Sequence, residues 1–67
     1  MSYCIKVQEN NVIKVTPKLP EHLTDKLLSI KGICYIEHPV NSDFSNVVID
    51  LDYKKKVQLE LRYLLCN

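Results

Sequence analysis

Any chemistry in this chain would have to come from three cysteines, two histidines and one run of lysines. The thiols are Cys4, Cys34 and Cys66, and the imidazoles are His22 and His38. Thiolate and imidazole hold zinc or copper when their spacing lets them reach one ion together. None of these five has ligand-like spacing, so a metal site would need the fold to assemble it, and none is expected. Cys34 and His38 stand four residues apart on a predicted strand. They share a face but lie about 13 Å apart, too far to pass a proton between them. No Ser-His-Asp grouping, glycine-rich phosphate loop or close carboxylate pair is recognisable. The expectation is no catalytic residue, no cofactor and no enzyme.

Lys54, Lys55 and Lys56 open a predicted helix, where three cations oppose the helix dipole at a small cost. Contact with an anionic partner or nucleic acid is one account of them, and a solvated first turn is the simpler one. A nucleic-acid platform interleaves aromatics with its cations on a sheet face. Tyr3 and Tyr35 meet that only in part, and Asp50 and Asp52 oppose it. Nine Lys and Arg against eight Asp and Glu give a net charge of +1. That balance argues against nucleic acid, where phosphate contacts supply most of the affinity.

Those residues must be carried by a single small domain spanning 1–67. Hydrophobic residues make up 46% and charged residues 25%, a globular composition. Three widely spaced cysteines form no disulfide framework for a secreted domain. With no leader and no apolar run near the ~18 residues of a membrane span, a cytoplasmic, reduced chain is expected.

Tyr3, Ile5 and Val7 alternate with Cys4, Lys6 and Gln8, and Ile13 and Val15 alternate with Lys14 and Thr16. These are two half-buried strands. A three-residue turn of Glu9, Asn10 and Asn11 pairs Val7 with Ile13 and Ile5 with Val15, keeping apolar residues on one face. It also sets Lys6 against Lys14, a like-charge pair that Asp50 is expected to relieve from across the sheet. After the proline-bearing connection of residues 16–20, Pro20 suits the first position of a helix. Leu23, Leu27, Leu28 and Ile30 mark its buried stripe, with His22, Lys26 and Ser29 turned away. Lys31 and Gly32 end it, glycine taking the left-handed position, with Ile33 folding back on the last turn.

Residues 34–38 read as a strand stopped by Pro39, with Ile36 and His38 toward the helix and Tyr35 and Glu37 away. Residues 47–52 read as a strand with Val47, Ile49 and Leu51 inward. The run 53–66 fits both periods. Val57, Leu59, Leu61 and Tyr63 alternate like a strand, while Val57, Leu61, Leu64 and Leu65 fit a helix. Strong helix formers, no hairpin turn after Leu51, and Asp52 as N-cap favour helix over strand. The order is ββαββα. Its expected form is an α+β two-layer sandwich, with a four-stranded antiparallel sheet in the order first–second–fourth–third and two helices on one face.

From Val12 to about Cys66 the pattern resembles a heavy-metal-associated domain, the ferredoxin-like fold of copper chaperones and metal-transporting ATPases. The resemblance is carried by the helix over 23–30, by Lys31-Gly32-Ile33-Cys34-Tyr35-Ile36 at the corner, by Val47-Val48-Ile49-Asp50 and by the helix after Asp52. ACT-type regulatory domains are similar at that corner. The resemblance implies a ferredoxin-like variant, with the strand at Tyr3–Val7 in the place of the family's last strand. The family holds Cu(I) or Zn(II) with two cysteines in the loop before the first helix. Here that loop is Thr16-Pro17-Lys18-Leu19-Pro20, so no ligand carries over.

Protein binding is the function that remains. Cys34, Tyr35 and Ile36 are apolar toward both faces of a predicted edge strand, and an open edge invites a strand from a second copy or a partner. Tyr35 and Phe44 would be its aromatic anchors. The expectation is a small adaptor, regulator or inhibitor docking through that edge. The alternatives are a degenerate metal-binding domain using Cys34 or Cys66, and a nucleic-acid binder using Lys54, Lys55 and Lys56.

Overall fold

The computed structural model describes residues 3–9 and 11–66. Strands β1 (Cys4–Glu9) and β2 (Val12–Thr16) are followed by helix α1 (Glu21–Leu28), strands β3 (Ile33–Glu37) and β4 (Ser45–Ile49), a tight turn of 3-10 helix at Leu51–Tyr53, and helix α2 (Lys54–Leu65). The sheet order is β1-β2-β4-β3, and every neighbouring pair is antiparallel. The run that fitted both periods is therefore helical. As strand, its charged residues would have had to share a sheet, whereas as helix Val57, Leu61 and Leu65 drop into one buried stripe.

The β1–β2 register is the one that keeps apolar side chains together: Ile5 lies opposite Val15 and Val7 opposite Ile13, with an irregularity between Val7 and Glu9. Glu9 belongs to β1 and pairs with Val12, so it is not part of the turn as expected, and Asn10 lies outside the described residues. Lys6 does face Lys14. Asp50 does not relieve them, because Asn46 is the residue across from Lys14. The Lys14 ammonium instead sits 4.4 Å from the centre of the Phe44 ring, where the π-face offsets part of its charge.

One core joins the inner sheet face to both helices. It holds Ile13 and Val15 of β2, Leu19 of the connection, Leu27 of α1, Val47 and Ile49 of β4, and Val57, Leu61 and Leu65 of α2. Full burial of one such leucine contributes roughly 2 kcal/mol. Two expected members are missing. Leu28 is 44% exposed at the end of α1, and Leu51 is 55% exposed. The reason at Leu51 is a turn. The Asp50 N–H donates to the Gly32 carbonyl at 2.8 Å, and the Tyr53 N–H donates back to the Asp50 carbonyl at 2.9 Å. The strand thus stops at Ile49, and Leu51 loses its inward parity. Asp50 caps the 3-10 turn, its carboxylate accepting the Asp52 N–H at 3.0 Å, and α2 follows from Tyr53 with no side-chain cap, so Asp52 does not cap the helix as expected.

Gly32 stands where α1 hands over to β3, at φ +109°. A Cβ built there would lie 2.5 Å from Cβ of Tyr53 and 2.9 Å from Cγ2 of Val57. The position therefore needs glycine twice, once for its backbone angle and once so that the start of α2 can approach. The β3–β4 loop has no glycine, and Asn41 supplies its positive φ of 61°.

Candidate functional site

The expected docking residues on β3 do not form one patch. β3 is an edge strand, as expected. Its pairing with β4 slips between Ile33 and Tyr35, so that Ile33 faces Ile49, Tyr35 faces Val48 and Ile36 faces Val47. The bulge turns Cys34 and Tyr35 both outward and lets Ile33 and Ile36 pack against the core. Tyr35 is 52% exposed, next to Val48 on the uncovered side of the sheet. Phe44 is half-buried and already lends its ring to Lys14. Of the four residues, only Cys34 and Tyr35 are open to a partner, and the bulge blunts the edge they sit on.

The lysine run is dispersed in a similar way. Lys54 is half-buried, and Lys56 pairs with Glu60 at 3.8 Å beside the Tyr53 ring. Lys55 alone joins another surface, described below. Of the thiols, Cys34 lies on the β3 edge, across the sheet from Cys4 on the β1 edge. His22 is exposed on α1. Among the described residues no three side chains that could hold a metal come together.

A polar cluster that the sequence pattern did not reveal lies at the loop end of β3 and β4. Ser45 is fully buried, and its Oγ accepts the Leu19 N–H at 2.9 Å. Its hydroxyl proton is therefore free for Nδ1 of His38, 2.7 Å away. On the other side of the ring, Thr24 donates its hydroxyl to the Pro20 carbonyl at 3.1 Å. Nε2–H of His38 then donates to Thr24 Oγ1 at 3.3 Å. With a neutral imidazole, the donor order that keeps all of these contacts has the ring proton on Nε2. A serine hydroxyl on a histidine nitrogen is the pairing that activates nucleophiles. Here the oxygen is sealed from solvent and occupied by a backbone donor, so it joins β4 to the connection before α1. A signal for it existed, because Ser45 shares the inward parity of Val47 and Ile49 and His38 that of Ile36.

The other feature absent from the sequence-based expectation is the outer face of α2. Its inner stripe is spent on the core, yet Leu59 is 69% and Tyr63 72% exposed. They stand one turn apart. Lys55, Gln58, Leu59 and Arg62 line one shallow groove, and Leu59, Glu60, Tyr63 and Leu64 line the next. Leu59 is the ridge between them. Lys55 and Arg62 flank it as exposed cations.

Against known proteins, no family model, no curated protein and no solved structure matches this chain.

Proposed function

We propose that the chain is a small non-enzymatic protein-binding module, an adaptor, regulator or inhibitor, that docks through the outer face of α2. The observation that carries this is the pair Leu59 and Tyr63, large apolar side chains left in solvent on a helix whose inner stripe already fills the core. Nothing in the fold's own packing asks for them there, and clustered exposed apolar groups mark contact surfaces. Lys55 and Arg62 beside them favour an acidic segment bearing aliphatic or aromatic side chains, its carboxylates on the cations and its apolar groups in the two grooves. A second copy fits less well, because a two-fold axis at Leu59 would bring Lys55 of one copy toward Arg62 of the other. Tyr35 on the β3 edge is a smaller, separate surface. The strand order, with both helices on one face, supports a ferredoxin-like variant in which β1 takes the place of the last strand. Three free thiols fit a cytoplasmic, reducing location.

Selection of a displayed random-peptide library on the immobilised chain tests this function. Enriched peptides are expected to combine Asp or Glu with Leu, Phe or Trp. Their affinity should fall about tenfold in the double variant Leu59→Ser, Tyr63→Ser, weaken with added salt, and stay unchanged in Tyr35→Ser. Enrichment of peptides without acidic residues, or binding that survives the double substitution, overturns it.

A further inference from the structure

The two ends of the described chain meet at one cleft, and each brings a thiol to it. The Tyr3 N–H donates to the Leu65 carbonyl at 2.9 Å, which lays the start of β1 beside the last turn of α2. One residue further along, the Cys66 thiol contacts the Tyr3 carbonyl oxygen at 3.1 Å. That oxygen belongs to the peptide that carries Cys4, and a planar trans peptide holds it roughly 3 Å from the Cys4 Cα. The Cys66 sulfur is therefore within about 6 Å of the Cys4 Cα, near enough that side-chain rotation with a small backbone adjustment brings the two sulfurs to bonding distance. Cys4 and Cys66 are both exposed and free, and both line the same cleft with Tyr3, Ile5 and Arg62.

We propose that Cys4 and Cys66 form a redox-sensitive pair that closes to an intramolecular disulfide when the chain meets an oxidised low-molecular-weight disulfide such as glutathione disulfide. One cysteine thiolate attacks a sulfur of the reagent, its S–S bond breaks and one small thiol leaves. The second cysteine displaces the other small thiol from the mixed disulfide, and the Cys4–Cys66 bond forms. Two protein thiols are oxidised, one reagent disulfide is reduced to two thiols, and the two protons pass to those thiols. The bond would pin β1 to the end of α2 and enclose nearly the whole chain in one covalent loop. Because chain-entropy stabilisation grows with loop length, this is a favourable place for such a link.

Cys34 is the internal control. It lies on β3, three strand spacings from β1, roughly 14 Å across the sheet. No other cysteine is placed to resolve a mixed disulfide there.

The test equilibrates the purified full chain in a series of glutathione buffers, alkylates the remaining thiols and maps the products by mass spectrometry. Cys4 and Cys66 are expected to leave the alkylated pool together, as one cross-linked peptide pair within a monomer. They should do so at glutathione disulfide fractions too low to keep glutathione on Cys34. The oxidised chain should melt about 10 °C or more above the reduced chain, a rise lost in Cys4→Ser and kept in Cys34→Ser. The proposal is overturned if all three cysteines titrate alike as separate mixed disulfides. It is equally overturned if the Cys4–Cys66 link forms only between two chains.

Discussion

The hairpin of β3 and β4 is fastened at its two ends by different physics. At the end where β3 begins, Gly32 lies against Tyr53 and Val57 with no space for a methyl group, and one backbone hydrogen bond from Asp50 closes the contact. At the loop end, His38 and Ser45 stand in a series of hydrogen bonds that reaches Leu19 and Thr24. Each end docks one helix, the first the start of α2 and the second the start of α1. The difference lies in what each can tolerate. A close-packed contact fails when an atom is added, and a buried polar chain fails when one is taken away.

Gly32→Ala is the most severe way to break the first end. Positive-φ strain and overpacking against the Tyr53 Cβ each cost roughly 1–3 kcal/mol, about 4 together. A domain of this length has about 3–10 kcal/mol in all, so the variant should lose roughly 40% of its stability or more, with its urea midpoint falling in proportion. A midpoint within experimental error of the parent would mean that the corner has slack. Ser45→Ala breaks the second end by removing one oxygen. It leaves the Leu19 N–H and the His38 Nδ1 without their partner and should cost about 2 kcal/mol in the same urea measurement. A change below about 0.5 kcal/mol would reduce that chain to decoration. Asp50→Ala sharpens the comparison, since it removes the cap and leaves the Gly32 packing intact. A loss of about 1 kcal/mol is expected, with faster hydrogen exchange at the Asp52 amide. If Asp50→Ala matched Gly32→Ala, the cap rather than the close packing would be holding that end.

Much of this fold could be read along the chain, because it follows from parity and punctuation. Alternation in β1 and β2 set the pairing of Val7 with Ile13 and Ile5 with Val15, since a slip of one residue would expose every apolar group. Gly32 marks its corner for the backbone reason, though not for the steric one, because Tyr53 and Val57 come from the turn and the helix more than twenty residues later. Asp50 and Leu51 were misplaced for a related reason. Periodicity does not show a carbonyl at Gly32 waiting for the Asp50 N–H. Of the expected docking residues, Cys34 and Tyr35 are exposed, whereas Phe44 is half-buried against a cation that arrives from β2. Leu59 and Tyr63 belong to the strand period of the run 53–66 and not to its helical stripe of Val57, Leu61, Leu64 and Leu65, so the helical reading already leaves them off the core face. The fold adds that no other element among the described residues covers that outer face, where Leu59 and Tyr63 remain exposed.

The hydrogen bond between Tyr3 and Leu65 places the ends of the described chain one strand spacing apart. A short linker could join them there, and new ends could then be opened between β1 and β2 without moving any strand or helix. The permuted chain would run β2, α1, β3, β4, α2, β1, so that strands and helices follow each other as βαββαβ. Termini this close suit circular permutation and insertion into a host loop. The permuted chain is expected to keep the same sheet order and core.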